Sequence, residues 1–153
     1  MFRPAAILTA IFLLAVPGAA LAHSFTHGDI QVMHPWAMVA EQGKSSAAFV
    51  TIFNGGSEPD KLVGVETKAA ERVEIQKAKK GGKPIKYETI SDLIVEPKKR
   101  VEMKPGGVRL LLVGLSEPLR HEYTTPMTLV FEKAGRVPIQ AVIQKSSAEG
   151  HTR

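Results

Sequence analysis

The chain has 153 residues, 44% of them hydrophobic, no cysteine and a formal net charge of +5. The absence of cysteine removes disulfides, thiolate metal sites and thiol redox chemistry. The length suits one domain whose core can be stable without cross-links.

The first residues read as an export signal. Arg3 supplies a positive start, Ala5 to Val16 an apolar stretch, and Ala20-Leu21-Ala22 a small-x-small cleavage pattern. Cleavage after Ala22 would begin the mature chain at His23, in the periplasm, and remove Arg3, so +5 becomes +4. The apolar stretch is short for a bilayer span. With no cysteine after the cleavage site, a lipid-anchored form is not expected. Export argues against nucleic acid as the partner of this basic chain, and for an anionic protein or membrane surface.

Residues 23–29 are expected to be a flexible lead-in. Ile30 and Val32 then alternate with polar residues as a first strand, which Pro35 should end or confine to an edge. Trp36 reads as a core aromatic. Ala47 to Phe53 is apolar on both faces, a central strand closed by Asn54-Gly55-Gly56. Asp60 to Val65 alternates again. Glu71–Ile75 and Lys83–Ile90 flank Gly81-Gly82 as a hairpin.

Shorter strands are predicted around Leu93–Val95, Val101–Met103, Leu110–Val113, Met127–Phe131 and Val137–Ile143. The helix-like window from Thr67 to Arg72 is too short to stand alone. Strands of this length with a turn signal roughly every ten residues predict an all-β, antiparallel, Greek-key sandwich over residues 30–144. Residues 145–153 lack an apolar pattern and are expected to be disordered.

The stretch from Met103 to Leu115 organises the rest. Pro105-Gly106-Gly107 is a turn signal, Leu110 to Val113 an apolar strand, and Arg109 stands where the turn enters the strand. A side chain there is held rigidly at the rim of a β-fold, where binding sites usually lie. Such a position suits a ligand atom, and arginine has no lone pair to give.

Six segments, in order and spacing, resemble the bacterial periplasmic copper chaperones called PCu(A)C. They are His34-Pro-Trp-Ala37, Ala47-Ala-Phe-Val-Thr-Ile-Phe-Asn54, Asp60-Lys-Leu-Val-Gly-Val65, Ala70-Glu-Arg-Val-Glu-Ile75, Lys104 to Leu115 and Leu129-Val-Phe-Glu-Lys-Ala-Gly135. The resemblance covers about Gly28 to Val142. It implies a cupredoxin-like β-sandwich that carries copper to a periplasmic acceptor, such as a cytochrome oxidase assembly component. It also implies a Cu(I) site of two histidines and two methionines, soft donors for a soft ion. Laid on this chain, those positions fall on Gln76, Tyr87, Arg109 and Leu111. All four are substituted, so the resemblance predicts the scaffold with a degenerate copper site.

Two other constellations remain. His23 would join a free α-amine to its own imidazole, a chelating pair for Cu(II), with His27 and His34 near in sequence. Met33, Met38 and Met103 could add sulfur, although methionine is more often core filler. Lys77, Lys79, Lys80, Lys83 and Lys86 crowd the Gly81-Gly82 hairpin. With Arg109 expected to face the same region, they form a candidate site for an anion, or simply a solvated basic hairpin. His121 and His151 have no partner at metal-ligand spacing. No nucleophile elbow or phosphate loop is present, so the sequence predicts a binding protein and no enzyme.

Overall fold

The computed structural model describes residues 24–145. The signal segment, its cleavage site, His23 and most of the C-terminal tail lie outside the described residues. Eleven strands and no helix occur among those described: β1 (Ser24–His27), β2 (Ile30–Met38), β3 (Ser46–Asn54), β4 (Asp60–Glu66), β5 (Ala70–Ala78), β6 (Tyr87–Thr89), β7 (Leu93–Val95), β8 (Arg100–Glu102), β9 (Val108–Leu115), β10 (Thr124–Phe131) and β11 (Gly135–Gln144).

They form one curled sheet in the order β6-β5-β9-β3-β2-β11-β10-β4-β7, with β1 added to β2 and β8 to β3. β4 and β5, far apart in that order, are joined by residues 67–69 and lie close to each other, so the sheet curls over. The expected cupredoxin-like sandwich is the fold found. One pairing is parallel, β11 with β2, where Val142 to Gln144 run beside Trp36 to Met38.

β3 is central, as its apolar composition predicts: Ser46 to Val50 are buried on both faces, and β2 lies on one side with β9 and β8 on the other. The core gathers Ile30, Val32, Ile52, Leu62, Leu110, Leu112, Leu129 and Ile139, each almost wholly buried. Trp36 is half-buried and stacks on Phe49 at 4.5 Å between ring centroids, and Met103 is core.

Three expectations change. β2 does not end at Pro35 and is not an edge strand; the pairing with β3 shifts between Met33 and Trp36, with His34 at φ 49°. A bulge there leaves Pro35, which has no N–H to donate, outside the ladder. The lead-in is not free chain either, since Ser24 to His27 pair with Met33 to Ile30 as the hairpin arm β1. Finally, the second arm of the Gly81-Gly82 hairpin pairs only over Tyr87–Thr89, leaving residues 79–86 as a loop closed by Lys79 N–H donating to the Lys86 carbonyl at 2.7 Å.

Candidate functional site

The turn at Lys104–Gly107 aims β9. Gly107 N–H donates to the Lys104 carbonyl at 2.9 Å, Pro105 occupies the second position and Gly106 the third at φ 81°. That is a type II arrangement, which needs glycine at its positive-φ corner. Arg109 follows as the second residue of β9.

Register then assembles the site. Gln76 lies opposite Arg109 on β9 and opposite Thr89 on β6; Glu74 lies opposite Leu111, and Ala78 opposite Tyr87. Directly paired residues share a face, so Glu74, Gln76, Tyr87, Thr89, Arg109 and Leu111 form one patch. Core-facing Ile75, Leu110 and Leu112 alternate behind it.

Hydrogen bonds lock the patch. Arg109 Nε donates to Gln76 Oε1 at 2.9 Å, and Gln76 Nε2 donates to Glu74 Oε2 at 3.0 Å. Glu74 also receives Arg72 Nε at 3.0 Å and Thr89 Oγ1 at 3.2 Å. The Arg109 guanidinium lies over the Tyr87 ring, 3.5 Å from its centroid, a cation held on a π face. Tyr87 is fixed in turn, because its phenol oxygen accepts Gly106 N–H at 3.0 Å. Gln76 is consequently buried although it sits on the outer face. Arg72 holds the Glu74 carboxyl below its ordinary range; desolvation opposes this, and Thr89 and Gln76 assist it.

Of the four positions named from the resemblance, Arg109 therefore touches both Gln76 and Tyr87, and Leu111 lies two residues along the same face. Their donors are spent or absent. Gln76 Oε1 and the Tyr87 oxygen each accept an N–H, while arginine and leucine offer no lone pair. These residues do not fit a Cu(I) ion.

The other candidates are dispersed. Lys77 pairs with Val108 and Glu88 and so alternates to the face away from Gln76 and Arg109. Lys79, Lys80, Lys83 and Lys86 lie in the loop 79–86, outside the paired strands. Register thus turns Lys77 away from Arg109 and leaves the other four lysines in the loop, a separation invisible in a charge count.

His27 and His34 are both exposed. His27 adjoins the β1–β2 turn opposite Ile30, whereas His34 lies four residues along, about 13 Å at strand spacing. The hairpin holds them apart. Among the described residues no three His, Asp, Glu or Cys side chains are grouped to hold a metal.

His27 does line a polar cavity of about 360 Å³ with Asp29, Glu58, Asp60 and Lys133. Two of its three acids are committed: Asp60 accepts the N–H groups of Lys61, Lys133 and Ala134, and Glu58 pairs with Lys133. A larger groove of about 670 Å³ runs over β10 and β11 between Phe25, Pro126 and Pro138. None of the sequence-predicted site residues lines it. Cavity size and chemistry point to different places, and the locked polar patch carries the stronger chemical signal.

Residues 30–143 match the LpqE-like lipoprotein family. The chain belongs to the LpqE-like family. Among the relatives of this LpqE-like protein is the lipoprotein Lxx21020 of Leifsonia xyli subsp. xyli, 27% identical over 150 residues that span 93% of this chain and 90% of the relative. Among solved structures, the apo PCuAC domain from PmoF1 is 31% identical with a TM-score of 0.70, covering 81% of this chain and 100% of that domain. The copper-bound PCuAC domain from PmoF2 is 29% identical with a TM-score of 0.69, covering 81% and 99%. The Cu(I) form of DR1885 from Deinococcus radiodurans, 22% identical at a TM-score of 0.60 over 84% and 85%, shares the fold.

Proposed function

We propose that this LpqE-like protein is an exported, non-enzymatic binding protein built on the copper-chaperone scaffold, and that its strand site does not carry Cu(I). One observation carries the reading: the guanidinium of Arg109 lies over the Tyr87 ring and is tied by Nε to Gln76. A permanent cation sits where the resemblance implies a copper-ligating histidine, and it repels a metal ion in addition to failing to bind one. Its lipoprotein relatives and the apolar start from Ala5 to Val16 support export. The chain's lack of cysteine argues for release rather than a lipid anchor.

The copper-bound relative supports a continuing part in copper handling. In this chain that role falls to the terminus, where the α-amine and imidazole of His23 form a chelate for Cu(II); His34 adjoins Met33, the partner of Ser24, and so lies nearer that end of β1 than His27, which sits at the turn.

A Cu(I)-chelating dye tests the central claim. The processed protein with His23, His27 and His34 replaced by alanine should leave dye-bound Cu(I) untouched. Adding Gln76→His, Tyr87→Met, Arg109→His and Leu111→Met should withdraw one equivalent. Withdrawal by the protein that retains Gln76, Tyr87, Arg109 and Leu111 would refute the reading.

A further inference from the structure

We propose that Arg109 is a carboxylate receptor, its fixed guanidinium presenting two terminal amino groups to the carboxylate of an acidic peptide or small organic acid. This rests on the reading that the patch is not a Cu(I) site.

The first argument is preorganisation. Nε is used by Gln76 and one face of the guanidinium by Tyr87, and both partners are themselves held, by Glu74 and by the Gly106 N–H. The side chain has little rotamer freedom left to lose on binding, which is the usual cost of recruiting an arginine. The second argument is the unused edge. Among the described residues neither terminal nitrogen of Arg109 has an acceptor. The ion pairs there join Arg72 to Glu74, Lys133 to Glu58 and Arg136 to Glu66. Glu74, the one carboxylate on this face of β5, β6 and β9, already takes Arg72, Thr89 and Gln76.

The third argument selects the ligand. Parallel N–H donors match a planar carboxylate two-prong to two-prong. A phosphate dianion or a phospholipid surface would need further cations on the same face, and Lys77 follows the other face while Lys79 and Lys86 lie in the loop beyond the strand ends. One fixed positive charge suits one negative charge. Ile85, 51% exposed, lies against Gly106 beside Tyr87 and offers an apolar contact for the carbon that bears the carboxylate.

Titration of the processed full-length protein, followed by two-dimensional nitrogen–proton NMR, tests this. The probes are N-acetylglutamate amide, a short alanine peptide with a free C-terminus, the same peptide as its amide, and inorganic phosphate. Either carboxylate should shift the Arg109 Nε–H, Gly106 and Gln76 resonances with saturation in the millimolar range, and the difference between the two identifies side-chain or terminal recognition. The amide should cause no shift, and phosphate should bind more weakly than carboxylate.

Arg109→Gln should abolish the shifts, Tyr87→Leu should weaken binding several-fold, and Lys77→Gln with Lys79→Gln and Lys86→Gln should preserve it. No saturable shift, tighter phosphate binding, persistence in Arg109→Gln or loss in the triple lysine variant would each overturn the proposal. Cu(I) competition on the same samples separates the two failures. Protein that takes neither ligand refutes the receptor alone, whereas protein that takes Cu(I) refutes the reading beneath it.

Discussion

Arg109, Gln76 and Tyr87 should behave as one coupled unit, and double-mutant cycles can measure it. The bond from Arg109 Nε to Gln76 Oε1 spans 2.9 Å, and Gln76 is only 8% exposed. Hydrogen bonds to charged groups are worth about 1.5–3 kcal/mol net. Arg109 is half-buried, so water replaces part of a lost partner and the lower figure applies. Stacking at 3.5 Å on a partly exposed ring adds about 0.5–1 kcal/mol. Arg109→Met, which keeps the aliphatic stem, should therefore cost about 2 kcal/mol in urea unfolding. Arg109→Lys should cost nearly as much, because an ammonium has neither the plane nor the fork. The cycle with Gln76→Ala should give a coupling of about 1 kcal/mol, and that with Tyr87→Leu about 0.5–1 kcal/mol. Additivity in both cycles to within about 0.3 kcal/mol would show that the patch is a chance arrangement of surface side chains.

Three further outcomes are expected. Asp60→Ala leaves the N–H groups of Lys61, Lys133 and Ala134 without their acceptor, and should lower urea stability by about 2–4 kcal/mol, because each unsatisfied buried donor costs about 1–3 kcal/mol and the polar cavity admits some water. The Glu74 carboxyl, held low chiefly by Arg72, contributes stability present above its unfolded pKa and lost as pH falls through the lower folded value; carboxyl-carbon NMR should find its midpoint below that of an ordinary glutamate, and Arg72→Ala should raise it. One residue added before His23 should markedly weaken Cu(II) binding by isothermal titration, and equal affinity with and without the extension would remove the terminal chelate from consideration.

Much of the scaffold was legible because apolar periodicity and turn chemistry are local. Ala47 to Phe53 reads as buried on both faces and is so as far as Val50, with Thr51 and Phe53 half-buried; Pro105-Gly106-Gly107 reads as a turn and forms one with glycine at the positive-φ corner. The errors lie where a long-range register overrides a local rule. Pro35 would break an unbulged strand, but the shift between Met33 and Trp36 gives it a place without a hydrogen bond. Ser24 to His27 carry little β signal of their own and are ordered by pairing with β2. The site was half legible. Arg109 stood out by its place after the turn, and resemblance named Gln76 and Tyr87. The part played by Glu74 could have been found only by knowing that it shares their face.

That shared face also explains how a site can change its chemistry while the scaffold stays. Gln76, Tyr87 and Arg109 come from three strands, and their backbone positions are set by ladder hydrogen bonds and by Ile75, Leu110 and Leu112 behind them. Exchanging the outer side chains leaves that layer untouched, so the fold does not select among metal, anion or nothing at the patch. A new side chain must still satisfy its own polar groups, since an unpaired buried amide costs about 1–3 kcal/mol. Gln76 meets that demand at both ends, through Arg109 and Glu74, and Tyr87 does so through Gly106. A chance arrangement of side chains would leave such groups unpaired, whereas here the polar ends of Gln76 and Tyr87, and Nε of Arg109, each have a partner. The terminal nitrogens of Arg109 are the exception, and they point the search for a ligand to one edge of one side chain.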